Sequence, residues 1–249
     1  MPAELKPMAR RIDDLIGRLE QSFERERRFS ADLAHELRTP IAELRTLAEC
    51  ALRWPGQRDP MTDRDVLASA AHMETLVTNI LALARGEQLN IAARLEPVQV
   101  EPLLAAAWHT FAPKAAARGL TVHTAFSPVT ASADPALLRS ALNNLLDNAV
   151  DHASAGGSVE ISLAGEDGRA VLRIANSTTE LEDADLPRLF ERFWRKEISR
   201  SGGEHLGLGL CLAHTFALAM GWTLTARLEP GTPRRIEFTL RGPLAPAAA

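Results

Sequence analysis

Leu5, Met8, Ile12, Leu15, Leu19 and Ser22 follow one another at alternating steps of three and four residues. No other feature constrains the chain as much. It lays one narrow stripe along a helix, the seam that a coiled coil closes against a neighbour. Neither Gly nor Pro interrupts Arg18 to Thr39, and Phe29, Leu33 and Leu37 carry the stripe on with a small shift of phase. Pro40 falls inside the helical pattern, where it removes one backbone hydrogen bond and kinks the helix. The pattern resumes at Ile41, Leu44, Leu47 and Leu52, then stops at Trp54-Pro55-Gly56, with Pro60 closing the loop. Thr62-Asp63-Arg64-Asp65 reads as a capping box that opens a second helix. Its face is Val66, Ala70, Met73, Val77, Ile80 and Ala84. Residues 5–85 thus read as a helical hairpin with two apolar seams. Two thin helices bury too little alone. Either a second copy completes a four-helix bundle or the C-terminal region of the same chain covers the seams; the sustained heptad spacing favours the second copy.

From about residue 95 the pattern is mixed. Extended segments are expected at 97–100, 120–126, 158–164, 169–176, 222–228 and 234–240, and helices at 101–118, 134–153 and 207–220. Asp167-Gly168, between two alternating runs, predicts a hairpin turn. The fold class is therefore α+β in two domains: a helical hairpin, then an α/β sandwich with helices on one face. A charged stretch over about 177–206, ending in Ser201-Gly202-Gly203, is long for a connector and is read as a lid. The Ala-rich tail over 243–249 is expected to be disordered.

Composition narrows the function classes. Of 249 residues, 46% are hydrophobic and 24% charged, which excludes a wholly disordered chain. A net charge of −4 lacks the basic footprint of a nucleic-acid binder. Cys50 and Cys211 are too few for a disulfide framework and fit a reducing compartment. No apolar run approaches the roughly 18 residues that cross a bilayer, and Met1 to Leu15 has no signal core. Aromatic residues are only 5%, with no tyrosine, which is low for a single large core.

The sharpest chemical signal is Phe29-Ser30-Ala31-Asp32-Leu33-Ala34-His35-Glu36-Leu37-Arg38-Thr39-Pro40. His35 falls beside the helical seam, next to an acid and one turn before the proline. A neutral imidazole is a competent nucleophile when one nitrogen is free and a carboxylate serves the proton on the other. Taken singly, the His35–Glu36 pair reads equally as a surface salt bridge. The second signal is Leu142-Asn143-Asn144-Leu145-Leu146-Asp147-Asn148-Ala149, in which Asn144 and Asn148 share one helix face with leucines on the buried side. An amide oxygen is a hard neutral ligand suited to Mg²⁺, although an ordinary polar face has the same look. Phe190, Phe193 and Trp194 in Leu189–Arg195 form an apolar anchor beside Arg195, with Arg192 as a weaker candidate. Gly207-Leu208-Gly209-Leu210 opens a helix whose N–H groups can approach phosphates, or merely starts a turn.

In this order the four strings resemble the phosphoacceptor, N, F and G2 boxes of sensor histidine kinases, and the likeness covers almost the whole chain. The resemblance implies a histidine-bearing dimerisation hairpin followed by an ATP-binding sandwich of the gyrase, Hsp90 and histidine-kinase type. It makes His35 the phosphorylated residue, Glu36 its base, and Thr39 the group that orients water for dephosphorylation. Asn148 becomes the Mg²⁺ ligand, Asn144 a supporting contact, Arg195 the γ-phosphate contact, and Gly207, Leu208 and Gly209 the phosphate loop. Where relatives carry Lys-Tyr, this chain has Asp151-His152, so one phosphate contact is missing and His152 is left to reach the nucleotide. The G1 box, normally Asp-x-Gly-x-Gly, reads Asn176, Thr178 and Glu180, and His205 stands at the first glycine of the usual G2 pattern. Asn176 keeps a carbonyl acceptor for the adenine amino group, as a neutral partner. Weaker or differently posed ATP is the expected result. Implied partners are a second copy and a response regulator, without nucleic acid. The implied division is 1–28 as the end of a HAMP-like signalling helix, 29–90 as the phosphotransfer hairpin and 95–242 as the catalytic domain. The resemblance also implies the cytoplasmic portion of an inner-membrane sensor, soluble as this fragment. Rival readings are a kinase-impaired phosphatase or scaffold and a mechanical ATPase.

Overall fold

The computed structural model describes residues 93–196, 207–231 and 233–246, together with 16, 17, 34, 37, 38, 40–42, 44–54, 63, 66, 67, 69, 70, 73 and 77. The chain divides into two compact units, Met1–Thr78 and Asn79–Ala249.

In the first unit the described residues between 34 and 53 are helical through Pro40. Leu37, Pro40, Leu44, Leu47 and Ala51 form its covered stripe, at steps of three and four, while Ile41 and Leu52 from the expected face are exposed. In the second helix Val66, Ser69 and Met73 are half-buried, and Ala70 and Val77 are exposed. The covered stripes keep Leu44, Leu47, Val66 and Met73 of the expected faces and depart from them at Ile41, Leu52, Ala70 and Val77. The expected seam from Leu5 to Ser22 lies outside the described residues, as do most of the Thr62–Asp65 capping box and the end of the second face.

Among the described residues, the second unit begins with β1 (Glu96–Gln99) and α1 (Val100–Ala117), followed by β2 (Thr121–Phe126), β3 (Thr130–Ala133) and α2 (Pro135–His152). Next come β4 (Ser158–Glu166), β5 (Arg169–Thr178), a 3₁₀ turn at Asp183–Arg188, α3 (Gly209–Ala219), β6 (Thr223–Glu229) and β7 (Arg234–Pro243). One five-stranded sheet has the order β2-β4-β5-β7-β6, with β2 and β4 parallel and the other neighbours antiparallel. A smaller sheet pairs β1 with β3. The β4–β5 turn is made by Asp167 and Gly168, both at positive φ (49° and 73°), the primed turn that matches strand twist.

The core lies between one sheet face and the helices. Val159, Ile161 and Leu163, Leu172 and Ile174, and Ile236, Phe238 and Leu240 alternate inward along β4, β5 and β7. Leu138, Leu142, Leu145 and Leu146 of α2 bury against them. Each such leucine contributes about 1.5–3 kcal/mol on full burial. The outer face is polar. Arg173 binds Glu166 bidentately at 2.6 Å, Arg227 reaches Glu237 at 2.9 Å, and Arg235 reaches Glu160 at 2.5 Å.

α2 starts sharply because the Asp134 carboxylate accepts from the Ala136 and Leu137 N–H groups at 3.0 and 3.1 Å, ahead of a proline at the first helical position. Burial alone would raise the Asp134 carboxyl, but these bonds and one from Arg94 N–H hold it below the ordinary value. Three features depart from the sequence reading. β3, rich in small residues, is a strand because β1 pairs with it. β5 runs to Thr178, into the stretch expected as lid. The tail is ordered at its start: Pro243 ends β7, Leu244 bridges Ala131, and Ala245 donates to the Thr130 carbonyl at 3.0 Å. The two-stranded sheet, absent from the sequence reading, supplies that partner.

Candidate functional site

Asn144 and Asn148 lie on one face of α2, half-buried, with Leu145 and Leu146 wholly buried on the other. Asn144 Nδ2 donates to the Ser140 carbonyl one turn back at 2.8 Å, which turns its Oδ1 outward towards α3. A Cβ built on Gly209 would stand 3.2 Å from that oxygen. Gly209 therefore lets the start of α3 approach the asparagine face closely, and the structure joins two residues 65 positions apart in the chain.

The aromatic string joins the same place. Gly207 has φ +67°, and a Cβ there would meet the Phe193 backbone at 2.8 Å and the Trp194 carbonyl at 2.9 Å. Phe193 N–H donates to the Gly207 carbonyl at 3.0 Å, and Phe193 itself sits at φ +57°. A non-glycine residue in the left-handed region costs free energy, and such strain gathers at functional sites. Leu189 is buried, and Phe190 stacks on His214 of α3 with ring centroids 5.0 Å apart and meets Phe238 edge-on at 6.5 Å. Burial holds the His214 imidazole below the ordinary histidine value. Arg188 lies 5.8 Å over the Trp194 ring, and Lys196 is held by Asp185 at 2.5 Å and Glu182 at 3.3 Å. Arg192 and Arg195 are half-buried in this segment. Leu208 is buried, and α3 opens at Gly209 without an acidic residue in its first turn. The first turn of a helix carries N–H groups without intrahelical partners and the positive end of the dipole, a combination that favours anions.

On β5, Asn176 is wholly buried. Its Nδ2 donates to the Ser177 carbonyl at 3.2 Å, while its Oδ1 has no hydrogen-bond partner. A buried carbonyl oxygen without a donor costs roughly 1–3 kcal/mol unless a ligand or water supplies one. This is the atom expected to accept the adenine amino group. His152, the last residue of α2, is exposed. Asp151, which replaces the expected lysine, turns to Lys114 of α1 at 2.7 Å, and Lys114 also reaches Asp147 at 3.0 Å. Burial alone would lower the Lys114 ammonium, but its bonds to Asp151 and Asp147 and their charges raise it overall.

His35, Glu36, Thr39 and His205 lie outside the described residues. Asn144, Gly207, Leu208 and Gly209 are brought together, and Arg195 belongs to the segment clasped against Gly207. Sequence reasoning missed Arg118, whose guanidinium donates to the carbonyls of Val150, Asp151 and Ala153, capping the end of α2. It sits in Arg118-Gly119, which reads as an unremarkable helix end. His214 was missed for the same reason: it carries no local signal on an apolar helix.

Two family models match the chain. Residues 133–244 match the histidine kinase-, DNA gyrase B- and HSP90-like ATPase family, which defines the second unit as an ATPase-type nucleotide domain. Residues 25–89 match the His Kinase A (phospho-acceptor) domain. With both domains in this order, the chain belongs to the histidine kinases. The signal transduction histidine-protein kinase BaeS of Escherichia coli is 35% identical over 213 residues, 84% of this chain and 46% of BaeS. The sensor protein CutS of Streptomyces coelicolor is 33% identical over 241 residues, 95% of this chain and 58% of CutS. The chain thus spans about half the length of these relatives. The Acinetobacter baumannii histidine kinase AdeS shares the fold, with TM-score 0.70 at 20% identity over 85% of this chain and 98% of that one. Full-length ShkA, solved with AMPPNP, gives TM-score 0.62 at 27% identity, covering 88% of this chain and 46% of ShkA. Among the described residues, no helix is long and apolar enough to cross a membrane.

Proposed function

We propose that this chain is the catalytic core of a two-component sensor: it moves the γ-phosphoryl group of ATP to His35, and from there to an aspartate of a response regulator. The orphaned Asn176 Oδ1 carries the nucleotide part of this reading. Its amide cannot turn freely, because Nδ2 is held by the Ser177 carbonyl, so the group offers an acceptor and suits the 6-amino group of adenine. The phosphates would then lie across the Asn144/Asn148 face towards the N-terminus of α3, where Gly207–Gly209 bring backbone N–H groups close. Mg²⁺ would be held by Asn148 and phosphate oxygens and would neutralise charge on the transferring group.

In the transfer, the bond from the β–γ bridging oxygen to phosphorus breaks and a nitrogen–phosphorus bond forms at the free nitrogen of His35. Glu36 takes or holds the proton on the other ring nitrogen, and ADP leaves. Arg195 offsets charge on the γ-phosphoryl oxygens. Thr39 orients water in the reverse sense, when the regulator is dephosphorylated. The hairpin pairs with a second copy; the exposure of Ile41, Leu52, Leu67 and Val77 in a single chain supports that. The working division is 1–28, 29–90 and 95–242, and the intact protein is a membrane-anchored sensor. Incubation with γ-labelled ATP and Mg²⁺ tests the reading. Wild type should take up acid-labile label and His35→Gln should take up none. ATP bound without any label would overturn the kinase assignment in favour of a phosphatase or scaffold, and label surviving in His35→Gln would overturn the site.

A further inference from the structure

Among the described residues only three buried side-chain polar atoms lack a hydrogen-bond partner: Ser154 Oγ, Asn176 Oδ1 and Arg235 Nε. Two of the three belong to residues that share one backbone anchor. The Ser177 carbonyl accepts from Ser154 N–H at 3.0 Å and from Asn176 Nδ2 at 3.2 Å, so both residues are moored to one backbone oxygen. The mooring is tight. The Gly157 N–H donates to the Ser154 carbonyl at 2.8 Å, and a Cβ on Gly157 would meet Ser177 Oγ at 2.0 Å and the Ser154 carbonyl at 2.8 Å. Ser177 Oγ is itself engaged, accepting from Ser158 N–H at 3.0 Å. The turn after α2 is therefore fixed on the end of β5, and the two residues that share the Ser177 carbonyl each carry one buried oxygen without a partner.

We infer that Ser154 is a base-specificity residue of the nucleotide site, its hydroxyl donating to the ring nitrogen next to the 6-amino group of adenine. The inference rests on the ATP reading above. Adenine presents a donor, the 6-amino group, flanked by ring-nitrogen acceptors. Asn176 Oδ1 supplies the matching acceptor, and the Ser154 hydroxyl, with no other partner to hold its proton, supplies the matching donor. Buried polar atoms are left unpaired rarely and at a cost, so two at one anchor point mark a place where a ligand's polar edge fits. Nothing local in the sequence singles out Ser154, which reads as a turn residue before Gly156-Gly157.

The test measures Mg²⁺–ATP and Mg²⁺–purine riboside triphosphate binding to the whole chain by calorimetry, together with thermal midpoints without nucleotide. Ser154→Ala should raise the Kd for ATP about threefold to tenfold, the effect of one lost hydrogen bond. The same factor should appear with purine riboside triphosphate, which keeps the ring nitrogens and lacks the 6-amino group. The unliganded midpoint should stay level or rise, because the variant removes an unsatisfied buried hydroxyl. ATP binding by Ser154→Ala within twofold of wild type would overturn the inference while leaving the ATP reading intact. A penalty seen with ATP and lost with the analogue would overturn it too, moving the contact to the amino group. Wild type that binds neither nucleotide would overturn the ATP reading itself.

Discussion

The two units use similar apolar residues to different ends. In the second, Leu138, Leu142 and Leu146 are wholly buried by elements of the same chain. In the first, Leu52 is 83% exposed, Leu67 69% and Ile41 50%, although they too are helical. A sandwich closes its own core because a sheet face and three helices meet. A two-helix hairpin has only one neighbour per helix, so part of each stripe is left for another surface. A self-sufficient domain can hold a strained nucleotide site at fixed geometry. A hairpin that depends on a partner can change register or rotation without losing its fold, which suits a signal relay.

The largest expected effect breaks the contrast directly. Leu142→Ala should destabilise the unit from Asn79 onward by about 2–5 kcal/mol, whereas Leu52→Ala should leave its unfolding within about 0.5 kcal/mol of wild type. Denaturant melts of the whole chain, followed through Trp222 and Trp108 of the second unit, would show both; equal effects would remove the distinction. Next comes Gly207→Ala. A Cβ there enters the Phe193 backbone and the residue must keep φ +67°, so the Phe193–Gly207 clasp should open. ATP affinity should fall at least tenfold, with a stability loss of about 1–3 kcal/mol, read by calorimetry and thermal melts.

A smaller effect concerns the start of α2. Asp134→Ala should cost about 1 kcal/mol at neutral pH. The folded Asp134 carboxyl lies below its unfolded value, so its contribution is complete above an unfolded pKa of about 3.9 and is lost as pH falls through the folded pKa. Wild type and variant should therefore converge in stability in acid; a constant gap down to pH 2 would contradict this. The smallest effect is at His214. Its folded pKa is depressed, so the unfolded chain takes the proton first and stability falls as pH drops below about 6.5. His214→Phe, which keeps the stack on Phe190, should flatten the loss between pH 7 and 5 relative to wild type.

Much of the second unit was legible because its signals are local and periodic. Asp134-Pro135 marks a helix start, Asp167-Gly168 a hairpin, and alternation in 158–164 and 169–176 a pair of strands; each appears within a few residues of the expected place. β3 was not legible, since Thr130–Ala133 has small side chains and becomes a strand only through β1. The asparagine and glycine strings were readable one by one, but their contact across Asn144 and Gly209 was not, because it depends on how α2 and α3 pack.

By itself, the sequence determined where periods change, where helices begin and which residue types could handle a phosphoryl group. Those are properties of neighbours three, four or two positions apart. The tertiary structure alone decided that Asp151 faces Lys114, that Arg118 caps α2, and that Trp222 fills the space left by Gly242, where a Cβ would come within 2.0 Å of its ring. It also decided that Ser154 and Asn176 share one carbonyl. These contacts join residues 20 to 37 positions apart in the chain. Polar satisfaction and close packing are fixed only when separate elements meet, and no local pattern encodes which atoms will be left without a partner.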